Sequence, residues 1–328
     1  ASIAAAAAGV FPSLANESES AKDRGFPDPS RHVFVVGDLH LTRKDPYSEM
    51  PILLDSLKSL SRGRKGFHII FNGDLLEFPS MQEYCENGEW QWKQFLVLHS
   101  LLQSAGFITH VVLGNHDGDE GFARSLIGQA IPPENIGTSS FVFENGSRII
   151  LLSGMRPDKI DNKFLADELE KGEKGKTFVF SHFPPDSISS HIKWLNKRPG
   201  YGLIAWNREA IQAISKSGAT LISSHIHSPF IGRYFSCLLE KPVNVVSTPS
   251  FSYDLPFFMP TPRGKRIFGI TILDTSIRSG GALFFDKDKR FPAPKRNAKS
   301  YNGRYIPGDF SRKAVPGFRP NHFFKVSR

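Results

Sequence analysis

The sequence predicts an α/β fold in which two β-sheets pack face to face between flanking helices, with extended arms at both ends. Three observations lead there. Short β-type runs recur along the chain and five of them end in metal-capable side chains; stretches of helical period separate the runs; further strands follow the last of those side chains.

The elements are read in order. Val33–Val36 is the first strand, and the helical spacing around Met50–Leu57 leads to the second, His68–Phe71, giving a β-α-β unit with a right-handed connection. Trp90–Leu102 reads as a helix ahead of the third strand, His110–Leu113. Phe141–Phe143 and Arg148–Leu152 form a hairpin about Asn145-Gly146. The amphipathic stretch Asn207–Ser217 lies between the strands Phe178–Phe180 and Thr220–Ser223, and Val243–Val246, Ile267–Leu273 and Leu283–Phe285 supply the last strands.

Length and composition fit one large domain. With 328 residues, 40% of them hydrophobic, the chain buries a substantial core over residues 31–285. An Ala-rich arm, 1–30, precedes it and a basic, aromatic extension, 286–328, follows. The two cysteines, Cys85 and Cys237, are far apart and follow no metal spacing, which argues against a disulfide framework. No apolar stretch reaches the length of a transmembrane helix.

The chemistry sits in five segments: Gly37-Asp38-Leu39-His40, Gly73-Asp74, Gly114-Asn115-His116-Asp117, Ser181-His182 and Ser224-His225-Ile226-His227. Each stands where a strand stops, the edge at which open α/β sheets place their ligands. Two divalent metals about 3.5–4 Å apart need a bridging carboxylate and imidazole, amide or carboxylate ligands on each side. Asp38 and His40 are spaced i and i+2, so continued strand geometry points both to one face, toward a first metal. Asp74 is the candidate bridge. Asn115, His182 and one of His225 and His227 complete a second metal, while the other returns to the first. A hydroxide held between such cations is a nucleophile at neutral pH. His116 stays free to protonate the leaving oxygen, with Asp117 orienting its ring.

These segments resemble the calcineurin-like metallophosphoesterase superfamily, whose pattern runs D-x-H, G-D, G-N-H-D/E, H, G-H-x-H. The resemblance spans Val33 to His227 with all five blocks in order. It implies a four-layer αββα sandwich. It further implies that Asp38, His40, Asp74 and His227 serve one metal, that Asp74, Asn115, His182 and His225 serve the other, and that His116 and Asp117 are the catalytic pair. Ser224 departs from the pattern, standing where the family has Gly, a residue that relieves strain in a tight turn. Manganese, iron and zinc all suit these ligands.

Other features have plainer readings beside functional ones. His68 and His110, on apolar strands, read as structural. The stretch Tyr84–Trp92 is either an aromatic wall over the site or a helix burying its tryptophans. Arg156 forks onto a phosphate or forms a surface ion pair. The segment 184–201, with His191, Lys193, Trp194, Lys197 and Arg198, is a basic lid touching substrate or a solvated loop.

The net charge is confined to one end. Residues 286–328 hold twelve Lys/Arg against three Asp/Glu, equal to the +9 of the whole chain, so residues 1–285 are neutral. Basic residues interleaved with Tyr301, Tyr305, Phe318, Phe323 and Phe324 suit RNA, an anionic membrane surface or a protein partner; a solvated arm is the plainer reading. The start, Ala1–Phe11, lacks an initiator Met and a basic flank. It reads as the remainder of a removed presequence, which favours a mitochondrial or plastid matrix over the cytoplasm, or as an arbitrary boundary. Two functional classes follow. One is a metal-dependent phosphoesterase hydrolysing a mono- or diester in a small phosphorylated metabolite, nucleotide or lipid pyrophosphate. The other is an accessory subunit of a ribonucleoprotein or organellar complex that keeps the fold and docks through its basic tail.

Overall fold

Successive strand residues face different layers, and that alternation builds the architecture. The computed structural model describes residues 27–41, 46–77, 81–118, 120–154, 160–185, 206–225, 227, 230–234, 239–251, 268–276 and 279–285. One sheet contains β1 (His32–Val36), β2 (His68–Asn72) and β3 (Ile108–Val112), all parallel. The other contains β4 (Ser139–Val142), β5 (Arg148–Leu152), β6 (Thr177–Ser181), β7 (Thr220–Ser223), β8 (Phe230–Tyr234) and β9 (Val243–Ser247), in the order β4-β5-β6-β7-β9-β8. Its inner strands β5, β6, β7 and β9 are parallel, and β4 and β8 run antiparallel at the edges. Antiparallel β10 (Phe268–Asp274) and β11 (Ser279–Phe285) complete the first sheet in the order β11-β10-β1-β2-β3.

Three apolar layers hold the sheets and helices together. Val33, Val35, Ile70 and Val112 of the first sheet meet Ile149, Leu151, Phe178, Phe180, Ile222 and Val246 of the second between the two sheets. The alternate residues Phe34, Val36, Ile69 and Phe71 point outward, onto Leu53, Leu57 and Leu60 of α1 (Pro46–Ser61) and Trp92, Phe95 and Leu98 of α2 (Met81–Ser104). On the opposite face Ile150, Leu152, Val179 and Leu221 pack on Leu165 and Leu169 of α4 (Asn162–Lys171) and on Ile211 and Ile214 of α5 (Arg208–Ser217). The short α3 (Glu120–Ile127) adds Ala123 and Ile127 to the first helical layer. Two mixed sheets between helices are the layering that the sequence predicts. Trp92 is fully buried, edge-to-face with Phe95, and so belongs to the core rather than to a wall over the site.

Several boundaries differ from expectation. α2 begins nine residues ahead of Trp90, and α3, α4 and β8 have no counterpart in the sequence reading. The hairpin turns about Asn145-Gly146, but its first strand ends at Val142 because Phe143 enters the turn, bonding through its N–H to the Ser147 carbonyl at 2.8 Å. Apart from residues 27–30, the arms at 1–30 and 286–328 lie outside the described residues. Among the described residues no helix is long and apolar enough to cross a membrane.

The two strand histidines are structural in this fold. His68 Nδ1 lies 2.8 Å from His110 Nε2, and both rings stack on Phe141. One ring donates and the other accepts, so a proton added to the shared contact sets N–H against N–H. Burial pushes His68 down to about 4, and burial with the His68 charge pushes His110 down to about 3. As pH falls below about 6.5 the unfolded chain takes up these protons first, so stability drops progressively toward pH 4. A His68→Phe/His110→Phe protein keeps the stacked face without the titration. Between pH 7 and 4.5 its unfolding free energy, measured by urea denaturation, should fall about 4–5 kcal/mol less than that of the wild type; equal losses would refute this account.

Candidate metal centre

All five motif segments follow strands: β1, β2 and β3 in the first sheet, β6 and β7 in the second. Asn72, the last residue of β2, ties the two sheets beneath them. Its amide donates to the Ser181 carbonyl at 3.2 Å and to Ser224 Oγ at 3.0 Å, and its own carbonyl lies 3.1 Å from His182 Nδ1. In the first sheet the Asp38 N–H donates to the Gly73 carbonyl and the His40 N–H to the Asp74 carbonyl, at 3.1 and 2.9 Å.

The backbone there leaves strand geometry at once. Asp38, His40, Asp74, His225 and His227 all have positive φ, between 44° and 65°, and among the described non-glycine residues only Arg62 shares that feature. Such conformations cost about 1–3 kcal/mol each and persist where surrounding structure imposes them, commonly at functional sites. Asp38 and His40 thus converge through left-handed turns, not through the i, i+2 pleat that the sequence suggests.

Two clusters result. Asp38, His40 and His227 each bring one ligand atom within 4.8 Å of the others, and Asp74, His182 and His225 do the same. In the first, His227 Nε2 lies 3.2 Å from Asp38 Oδ1 and 3.3 Å from His40 Nε2. In the second, His182 Nε2 has Asp74 Oδ2 at 3.1 Å, Asn115 Oδ1 at 3.1 Å and His225 Nδ1 at 3.2 Å. One nitrogen carries at most one hydrogen, so three donor atoms around it form a set that a cation satisfies better than hydrogen bonds do. Asp74 Oδ2 also stands 3.9 Å from His40 Nε2, between the clusters, and the Asp38 carboxylate accepts the His225 N–H. The residues present therefore fit two divalent cations.

His116 stands at the rim. Its side chain is 25% exposed and its Nε2 is 4.0 Å from Asp74 Oδ2. Asp117 is placed differently from expectation. Its carboxylate is fully buried and accepts the backbone N–H groups of Leu75, Leu76 and Gly114, at 2.7, 3.0 and 2.7 Å. The buried His116 Nδ1 has no hydrogen-bond partner, so Asp117 braces the loop after β2 instead of orienting that ring. Arg156, His191 and the rest of the expected basic lid from 186 to 201 lie outside the described residues.

The family model of calcineurin-like phosphoesterases matches residues 31–229. The chain belongs to that family. Solved structures similar to it include a cold-active protein-tyrosine phosphatase of a psychrophilic Shewanella, 12% identical with a TM-score of 0.33, where the match covers 84% of this chain and 88% of that one. Another is the nuclease MPE of Pseudomonas putida, 12% identical, TM-score 0.27, covering 74% and 84%. No curated protein matches the sequence.

Electrostatics in this phosphoesterase centre follow from burial opposed by neighbours. Burial alone would raise Asp74, but the charges of His182, His116 and His40 hold it well below the usual carboxylate range. Burial likewise opposes charge on His182 and His40, yet Asp74 lifts His182 to about 9, while Glu77 and Asp74 lift His40 to about 9. His225, buried beside His182, is pushed down to about 3, and burial also lowers His116. Asp117 is raised to about 6 by burial and by the Asp74 charge, against the pull of its backbone N–H donors. Positive charge gathers beside Asp74.

Ser224 is explained by its hydroxyl. The positive φ falls on His225, so the position does not demand glycine. Buried Ser224 Oγ accepts from the Asn72 amide and lies 2.8 Å from Thr248 Oγ1. Sequence reasoning missed Asn72, Thr248 and Glu77; only Asn72, a lone amide closing an apolar strand, gave a readable signal.

Two outcomes follow. Ser224→Gly should lower the unfolding free energy by about 1–2 kcal/mol in urea, from a lost hydrogen bond and added backbone freedom. Asp117→Asn, which turns an N–H donor toward backbone N–H groups, should cost about 2–3 kcal/mol, while His116→Ala stays within about 1 kcal/mol of wild type.

Proposed function

We propose that this chain is a two-metal phosphoesterase that hydrolyses a phosphate mono- or diester in a small phosphorylated molecule. The observation that carries this reading is the pair of three-ligand clusters, with Asp74 of the second also facing His40 of the first and the half-buried His116 beside it. Asp38, His40 and His227 would hold one divalent cation; Asp74, His182 and His225, with Asn115 next to them, would hold the other. Manganese, iron and zinc all suit these nitrogen and oxygen donors. Such cations supply water of lowered pKa and neutralise charge on the phosphoryl oxygens.

The chain's own residues do the rest. Water attacks phosphorus, the ester P–O bond breaks, and His116 Nε2 passes its proton to the departing oxygen. Burial lowers the proton affinity of His116, and the Asp74 charge pulls it back up. A phosphate anion at the rim adds to that pull, which suits an acid that is loaded as substrate arrives. Asp117 supports this geometry by bracing the loop that carries Asp74. The +9 charge of residues 286–328 favours a second role, in which the extension docks the domain on RNA, an anionic membrane or a larger assembly.

Hydrolysis assays with added Mn²⁺ test the first reading. The wild type should cleave p-nitrophenyl phosphate or its bis ester, and Asp74→Asn should abolish the activity. His116→Ala should lose about 10²–10⁴-fold on phenyl phosphate and distinctly less on p-nitrophenyl phosphate, whose leaving group needs little protonation. A folded wild type inactive with manganese, iron and zinc would overturn the enzymatic reading and leave the docking role.

A further inference from the structure

The ligand histidines of a metal site work only if the correct ring nitrogen is bare, and something outside the site must hold the other one. For His182 that partner is on the backbone: Nδ1 lies 3.1 Å from the Asn72 carbonyl, which leaves Nε2 facing Asp74 and Asn115. For His40 it is a side chain. His40 Nδ1 lies 2.8 Å from Glu77 Oε2, while Nε2 faces His227 at 3.3 Å and Asp74 at 3.9 Å. Both of the contacting atoms, His40 Nδ1 and Glu77 Oε2, are buried and have no other hydrogen-bond partner.

Glu77 is itself held in place. Its backbone N–H donates to Gln91 Oε1 at 2.9 Å, and Gln91 is buried on α2. Leu75 and Leu76, just before it, are fixed by the Asp117 carboxylate. The carboxylate of Glu77 belongs to neither ligand cluster, and its side chain is 33% exposed, so its removal opens no cavity in the core.

The geometry points to Glu77 as the positioning residue of the His40 half of the centre: it fixes the Nδ1–H tautomer of His40, keeps Nε2 directed at the first cluster, and so sets the affinity of one metal position and not of the other. This inference rests on the two-metal reading. Glu77 touches no ligand atom that faces the cations, and it meets the ligand set at His40 Nδ1. The negative charge it places behind the imidazole also makes that ring a stronger donor.

Mn²⁺ binding to the full chain, followed by electron paramagnetic resonance and calorimetry, tests this apart from catalysis. The wild type should bind two ions. Glu77→Ala should weaken one of them by about 10–100-fold and leave the other unchanged. Glu77→Gln, which still offers an oxygen to Nδ1–H, should recover most of the loss. In a His40→Ala background Glu77→Ala should have no further effect, because its target is gone. Wild-type binding of both ions by Glu77→Ala would overturn the inference and leave the two-metal reading intact, as would an equal further loss in the His40→Ala background. A wild type that binds no Mn²⁺ would overturn both.

Discussion

A buried carboxylate governs this structure. Asp74 is 1% exposed, and an unpaired charge at that depth costs several kcal/mol. Its surroundings read as the answer to that cost. His182 and His40 bring positive charge, the His116 backbone N–H donates to Asp74 Oδ1 at 2.9 Å, and the loop glycines let these groups close in. A Cβ on Gly114 would come within 2.3 Å of Asp74 Oδ1, and one on Gly73, whose φ is 85°, within 2.3 Å of the His182 ring. The glycines of the motif are therefore a packing requirement of Asp74 as much as a backbone one. Because His182 comes from one sheet and Asp74 from the other, the charge is compensated only when the sandwich is assembled.

The same assembly explains how strained residues survive. Five left-handed side-chain-bearing positions in one small region would be costly in a loop standing alone. Here they are anchored from below by rigid, parallel strands and from the side by short polar ties: Asn72 across the sheets, Ser224 to Thr248, Ser250 Oγ to the Asp38 carbonyl at 3.1 Å. The fold supplies rigidity through continuous apolar packing and confines the irregular backbone to the strand ends. Mutations in the Asn72–Ser224–Thr248 ties thus act on the site without touching a ligand.

How much of this was legible in the sequence depends on where the determining interaction lies. Strands such as His32–Val36, buried on both faces, announce themselves as apolar runs, and each ended in a recognisable metal-capable group. β8 did not: it is an edge strand with Gly232 at its centre, and among the described residues its five residues pair only with β9. α4 was hidden because its sequence is mostly polar, with Leu165 and Leu169 alone as buried apolar residues beside a buried Glu168 that is satisfied by Arg148, Lys171 and Ser140. Asp117 misled because adjacency to His116 in sequence suggested a pair, whereas consecutive residues in a tight loop point apart. Glu77 was invisible for the opposite reason, since its partner His40 comes from a different strand end.

Charge placement bears on how such a centre meets its substrate. Residues 1–285 carry no net charge, so the body offers no long-range field to gather anions. At physiological ionic strength a charge more than about 8 Å away is largely screened, which limits what the basic residues of 286–328 contribute unless they lie beside the site. Attraction at the site must then be local, from the buried, protonated His40 and His182 at the sheet edge and from the cations the site is proposed to hold. There each charge acts more strongly than on an exposed surface. A neutral body with a concentrated positive centre favours compact phosphate groups that enter the site over extended polyanions that spread across a surface. The small phosphorylated substrate proposed for the domain would meet that preference, and the proposed docking on a polyanion would fall to the extension.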